Sequence, residues 1–234
     1  MAKEQQEPLT IEAYRKVAAN IEFANIDKNI KTIMISSSLQ GEGKTTTICN
    51  IAQVMTDLNK NILLIDMDLR IPCVHKFFSL SNREGLTDML LNKDNYCNYL
   101  HNVYPKLDII TAGKLPPSPT EILNSKSIKD LLKELILHYD YIFLDTPPIA
   151  LVSDPIIIAT YVDAVILTVS SGQTDIETAK KSIKSLKQVN ANIIGTVLNK
   201  APVSKQKKYY NYCKHWLNSQ CFIFHLNSRK FSCK

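Results

Sequence analysis

No run of about 18 to 20 uninterrupted apolar residues, the length that crosses a bilayer, occurs in the 234 residues. The stretch from Met1 to Thr10 has no apolar signal core. Both absences argue against a spanning segment and lead us to expect a cytoplasmic protein whose contact with a membrane goes through a partner. Cys49, Cys73, Cys97, Cys213, Cys221 and Cys233 show no C-x-x-C spacing, so a zinc site is not expected and reduced thiols are. There is no internal repeat and no low-complexity tract. Acid is absent too, but only from one region: from residue 201 onward there is no Asp or Glu.

That last absence locates the charge. The chain carries 28 basic and 22 acidic residues, a net charge of +6. Lys205, Lys207, Lys208, Lys214, Arg229, Lys230 and Lys234 lie in the acid-free segment, so the preceding 200 residues are close to neutral. A basic balance ordinarily hints at nucleic acid or an anionic membrane surface. Here no recognition motif accompanies it, so nucleic acid is not an expected partner. With 45% hydrophobic and 21% charged residues the chain has an ordinary globular composition. Its length suits one large domain or two small ones.

Between residues 10 and 25, Ile11, Tyr14, Val17, Ala18 and Ile21 recur at helical spacing, with Thr10 as the expected cap. Short β-branched runs follow at 32–35, 62–65, 107–110, 141–144, 164–169 and 193–198, as expected of buried strands. Helical patterns fill the gaps at 45–58, 127–137 and from about Asp175 onward. This alternation predicts an α/β fold, a doubly wound and mostly parallel sheet with helices on both faces. It stops after Leu198, which predicts a folded unit over residues 1–200 and a flexible basic tail over 201–234.

The first predicted strand runs into Ser38-Leu39-Gln40-Gly41-Glu42-Gly43-Lys44-Thr45-Thr46. This matches G-x-x-x-x-G-K-[ST], with Ser38 in place of the first glycine. Such a loop wraps backbone N–H groups around a phosphate, its lysine reaches the β and γ phosphates, and its hydroxyl meets Mg²⁺. The helix after it points its positive end at the same anion. Gly41, Glu42, Gly43, Lys44, Thr45 and Thr46 are therefore the expected nucleotide-binding residues, and ATP with Mg²⁺ the expected cofactors.

A phosphate-bound metal calls for acids on neighbouring strand ends. One predicted strand closes at Asp66-Met67-Asp68-Leu69-Arg70 and another at Asp145. In an α/β sheet those carboxyl ends line the edge that carries the phosphate loop. Thr45, Asp68 and Asp145 are expected to hold Mg²⁺, and Asp66 is placed to take a proton from an attacking hydroxyl. Spacing does not divide the two roles between Asp66 and Asp68. Lys44, Asp66 and Asp68 are the expected catalytic residues.

Taken together, these motifs resemble those of the bacterial tyrosine kinases, the cytoplasmic kinases of Gram-positive capsular and exopolysaccharide loci. The resemblance covers about residues 10–212. It includes the phosphate loop, the second motif Asp66-Met67-Asp68-Leu69-Arg70, the segment Gly113-Lys114-Leu115-Pro116-Pro117-Ser118-Pro119-Thr120-Glu121, the strand closing at Asp145, and Leu198-Asn199-Lys200. It implies a P-loop NTPase fold and a protein-tyrosine kinase that regulates polysaccharide synthesis. It also implies autophosphorylation in trans of a C-terminal cluster, here Tyr209, Tyr210 and Tyr212. Asn199 would contact the adenine base, and a transmembrane adaptor from the same locus would activate the enzyme and hold it at the inner face of the membrane.

MinD- and ParA-like partitioning ATPases are the near alternative, along with a catalytically weak nucleotide-binding scaffold. The signature lysine of the partitioning group is replaced here by Leu39. Two features depart from the kinase pattern. The E-x-x-R-x-x-R motif of the first helix, which serves ring-like self-association, keeps Glu12 and Arg15 but has Ala18 in its last place, so weaker assembly is expected. The chain also continues well past Tyr212, through its only tryptophan, Trp216.

Overall fold

The computed structural model describes residues 8–92, 95–201 and 222–225. Its elements alternate as the sequence pattern predicts. Around the phosphate loop, β1 (Thr32–Ser37) leads into α2 (Lys44–Asp57) and β2 (Ile62–Asp66). β4 (Leu107–Ile110), β5 (Tyr141–Asp145), β6 (Ala164–Ser170) and β7 (Ile193–Asn199) complete the strands anticipated from the sequence. Helices α1 (Pro8–Ala24), α4 (Leu86–Asn92), α5 (Pro119–Asn124), α6 (Lys126–Leu135), α7 (Asp154–Ala159) and α8 (Ile176–Gln188) lie between them.

Alternation along each strand sorts the core into two layers. In β1, Ile33 and Ile35 face α1 and α2, meeting Tyr14, Val17, Ile21, Ile48 and Ile51. Met34 points the other way, into the layer of Leu86, Leu123, Leu132, Ile158 and Leu186 from α4 to α8. Each such side chain, fully buried, contributes about 1.5 to 3 kcal/mol relative to an exposed one. Both sheet faces are thus covered by helices. The near-continuous apolar runs of these strands are the sequence trace of that burial.

With β3 (His101–Tyr104) at one edge and β8 (Phe222–His225) at the other, the strand order is β3-β4-β2-β5-β1-β6-β7-β8. All pairs are parallel except that of β3 (His101–Tyr104) with β4. Chain order reverses direction at β1, which lies between β5 and β6. The carboxyl ends of β1, β2 and β5 therefore meet at the switch point, where open α/β sheets bind ligands.

Three observations differ from expectation. β3 escaped the sequence pattern because His101-Asn102-Val103-Tyr104 is a half-buried edge strand without apolar alternation. Within the predicted tail, β8 (Phe222–His225) adds a parallel strand to β7, with Gly195 opposite Phe222. Those four residues lie on the sheet, while Tyr209, Tyr210 and Tyr212 lie outside the described residues. Finally, Ala18 faces inward. It is fully buried with Tyr14, Val17 and Ile21, so a side chain at this position meets the core, whereas Glu12 and Arg15 are exposed and 3.8 Å apart. Methyl-sized volume is what the α1 packing admits at Ala18. Among the described residues, no helix is long and apolar enough to cross a membrane.

Candidate active site

The phosphate loop leaves β1 and enters α2 through Gly43, whose φ of 89° is left-handed. Only glycine takes this conformation without cost. A Cβ there would also lie 2.1 Å from the Asn199 amide nitrogen. No side chain caps α2, so its first N–H groups stay available to an anion held in the loop.

The loop is braced from behind. Glu42 is fully buried; its carboxylate accepts from Leu39 N at 2.7 Å, from Ser170 N at 3.4 Å and from the Thr174 hydroxyl. Burial raises its pKa. The Glu42 side chain thus points into the protein, leaving only its backbone to face a phosphate. Asn199 donates its amide to Glu42 O at 3.0 Å and accepts from Lys200 N at 2.8 Å. Lys200 Nζ donates to Gly41 O at 2.7 Å and Gln173 Oε1 at 3.1 Å. Asn199, expected at the base, is thereby held against the loop. Lys200 lies in the Leu198-Asn199-Lys200 stretch already noted in the sequence, whereas Gln173 and Thr174 carry no local signal that would have marked them.

At the mouth of the loop three motifs converge. Lys44 Nζ lies 2.9 Å from Asp68 Oδ2 and 3.5 Å from Asp145 Oδ1. Thr45 Oγ1 donates to Asp145 Oδ2 at 2.6 Å. Burial opposes the charge of Lys44, but Asp145 and Asp68 outweigh it and hold the ammonium protonated well above its ordinary range. Thr46 is half-buried one residue on, its carbonyl accepting from the Asn50 amide at 2.7 Å.

The acid that closes β2 and the one two residues beyond it have different surroundings. Asp66 is fully buried and accepts three backbone N–H groups: Asp68 N at 3.2 Å, Cys73 N at 3.1 Å and Val74 N at 3.0 Å. It folds the segment after β2 into α3 (Val74–Phe77). Burial, and then the charge of Asp145, hold its pKa well above the ordinary carboxyl value. Asp68 instead turns one oxygen to Lys44 and the other to Ile71 N at 3.0 Å. Asp145 is raised by burial as well, against the opposing pull of Lys44.

The donor set fits Mg²⁺. It is made of hard oxygens, Thr45 Oγ1 with the Asp145 and Asp68 carboxylates, and the Lys44 ammonium now lies among them as a cation would. Among the described residues no group of three or more His, Cys, Asp or Glu forms a metal cage. Mg²⁺ commonly takes one or two carboxylates and completes its shell with water and phosphate.

Arg70, the last residue of the second motif, is joined to residues that the sequence did not connect with it. Its Nε and Nη2 reach Asp154 at 2.6 and 3.2 Å, and Nη2 reaches Thr120 Oγ1 at 3.1 Å. Asp154 follows a serine and precedes a proline, the local signature of a helix start, so only the fold shows its partner.

Comparison with known proteins agrees with this geometry. A family model described as AAA domain matches residues 30–199. The chain is 40% identical over 213 residues to the tyrosine-protein kinase YwqD of Bacillus subtilis, covering 91% of this chain and 90% of YwqD. It superposes on the crystal structure of the chimerical protein CapA2B2 with a TM-score of 0.80 at 31% identity, covering 86% and 88% of the two chains. A plasmid partition protein from Borrelia burgdorferi shares the fold alone, with a TM-score of 0.66 at 21% identity over 83% and 89% of the chains.

Proposed function

Because the chain belongs to the bacterial tyrosine-protein kinases, we propose that it transfers the γ-phosphoryl group of ATP to tyrosines of its own C-terminal segment and thereby regulates capsular or exopolysaccharide synthesis. The observation that carries this reading is the convergence of Lys44, Asp68, Asp145 and Thr45 at the uncapped start of α2. The loop amides and Lys44 bind the β and γ phosphates, and Gly41 and Gly43 give the backbone its path around them. Thr45 and Asp145 hold Mg²⁺, with Asp68 beside them; when bound, the ion draws charge from the phosphates. Asp68 faces the phosphates through Lys44 and takes the phenolic proton. Asp66, spent on backbone amides, positions that segment. The bond from the β-phosphate oxygen to the γ-phosphorus breaks as the phenolic oxygen bonds to it, and ADP leaves. Such transfers depend mostly on positioning and electrostatics.

Tyr209, Tyr210 and Tyr212 are the acceptors in this reading, reached in trans within a self-associated assembly. A transmembrane adaptor activates the kinase and brings it to the inner face of the membrane. The test is incubation with ATP and Mg²⁺, then mass spectrometry of the C-terminal peptides. Phosphate on Tyr209, Tyr210 or Tyr212 that disappears in Lys44→Met is the expected result. ATP hydrolysis without any phosphotyrosine, even with the adaptor present, would defeat the reading.

A further inference from the structure

Transfer as described gives Lys200 and Gln173 no task, yet both close on the phosphate loop. Lys200 follows β7 with a φ of 56°, a left-handed conformation that costs a residue of this kind energy and that clusters at functional sites. Its ammonium donates to Gly41 O at 2.7 Å and to Gln173 Oε1 at 3.1 Å, both neutral oxygens. The ion pairs among the described residues do not include it. Lys200 and Gln173 are both exposed. Asn199 is the opposite: buried, with its amide donating to Glu42 O and its Oδ1 accepting from Lys200 N. It is packed behind the loop, so the side chain that the β7 end presents outward is that of Lys200.

Strand order decides which end of a nucleotide meets that side chain. Lys44 and Thr45 face Asp68 and Asp145, which lie at the ends of β2 and β5. Gln173 and Lys200 follow β6 and β7, on the other side of β1. A nucleotide whose terminal phosphates point at the carboxylates therefore carries its nucleoside out toward β6 and β7. We propose that Lys200, anchored at its tip by Gly41 O and Gln173, is the wall against which the nucleoside packs, with Asn199 a positioning residue behind it. A lysine fixed in this way offers an apolar four-carbon flank to a base and a cation at the edge of its ring. The anchor on Gly41 also joins nucleoside binding to the path of the phosphate loop. This inference rests on the nucleotide-binding part of the reading above, and not on the transfer step.

A lysine that only braced the loop would behave differently, because its loss would weaken every ligand of the loop alike. The test measures, by calorimetry on the full chain with Mg²⁺, the Kd for ADP and for inorganic pyrophosphate, which has the same two phosphates and no nucleoside. The wild type is expected to bind ADP more tightly. Lys200→Asn removes the stem and the ammonium but tolerates the left-handed backbone. It is expected to raise the Kd for ADP about tenfold, the scale of one cation–ring contact, and to leave that for pyrophosphate within about twofold. Gln173→Ala removes one anchor from an exposed loop; it should weaken ADP severalfold with the same selectivity, and serves as the readout if Lys200→Asn does not fold. Equal weakening of both ligands, an ADP affinity that neither change moves, or a wild type that binds the two ligands equally overturns the nucleoside wall. A wild type that binds neither ligand overturns the nucleotide-binding reading and the wall with it, whereas one that binds ADP as expected but forms no phosphotyrosine from ATP overturns the transfer reading alone.

Discussion

Asp66 and Asp68 are two residues apart in sequence and have opposite surroundings: one is closed in by three backbone amides, the other paired with Lys44. Spacing had left both roles open to either residue, because a strand end says nothing about which carboxylate the next turn will cover. Their burial also has a consequence for stability. Asp66 and Asp145 have raised pKa values when folded, against about 3.9 when unfolded. The folded state therefore holds protons that the unfolded state has released, and stability is lost as pH rises from about 4 through the folded values. Without metal or nucleotide, the thermal midpoint should carry a component that falls as pH rises above about 4, the unfolded carboxyl value. Asp145→Asn should flatten that component, and Mg²⁺ with ADP should reduce it by neutralising the carboxylates. Thermal melts across pH in wild type and Asp145→Asn measure this; identical slopes would refute it.

At the scale of elements, the main strands were legible because β-branched runs ending in polar residues have few other readings in a chain of this composition. β3 and the short helices α3, α4, α5 and α7 were not. Each has too few residues for a period to emerge, and α3 is held by bonds from outside the helix, the Cys73 and Val74 N–H groups donating to Asp66. Helix α1 shows where reading a motif and reading a fold diverge. Its periodicity already put Ala18 among the apolar residues, while motif matching put it at an interface; the structure sides with the periodicity. Restoring an arginine at Ala18 should therefore cost stability and not strengthen assembly. A buried, unpaired guanidinium commonly costs about 3 to 5 kcal/mol. Chemical denaturation of Ala18→Arg checks this; unchanged stability together with larger oligomers would restore the interface reading.

For the molecule as a whole, the site takes groups from β1, β2 and β5 and is braced from β6 and β7. The proposed acceptors follow β7, the strand that braces the phosphate loop. If transfer passes between subunits, the initial rate of phosphotyrosine formation per enzyme molecule should rise with protein concentration, whereas transfer within one chain would leave it constant. Time courses over a hundredfold concentration range (roughly the span over which a bimolecular step separates from an intramolecular one) make that measurement.

The sequence by itself determined the sheet and the chemistry of its edge. Both follow from local facts: apolar runs that must be buried, glycines that permit a left-handed turn, and acids that close strands. Tertiary structure alone decided which groups meet. The Asp154 clamp on Arg70 and the bracing of the phosphate loop by Glu42, Asn199 and Lys200 join residues far apart in the chain. Their contacts form only because the sheet brings distant turns to one edge, and no spacing along the chain records that.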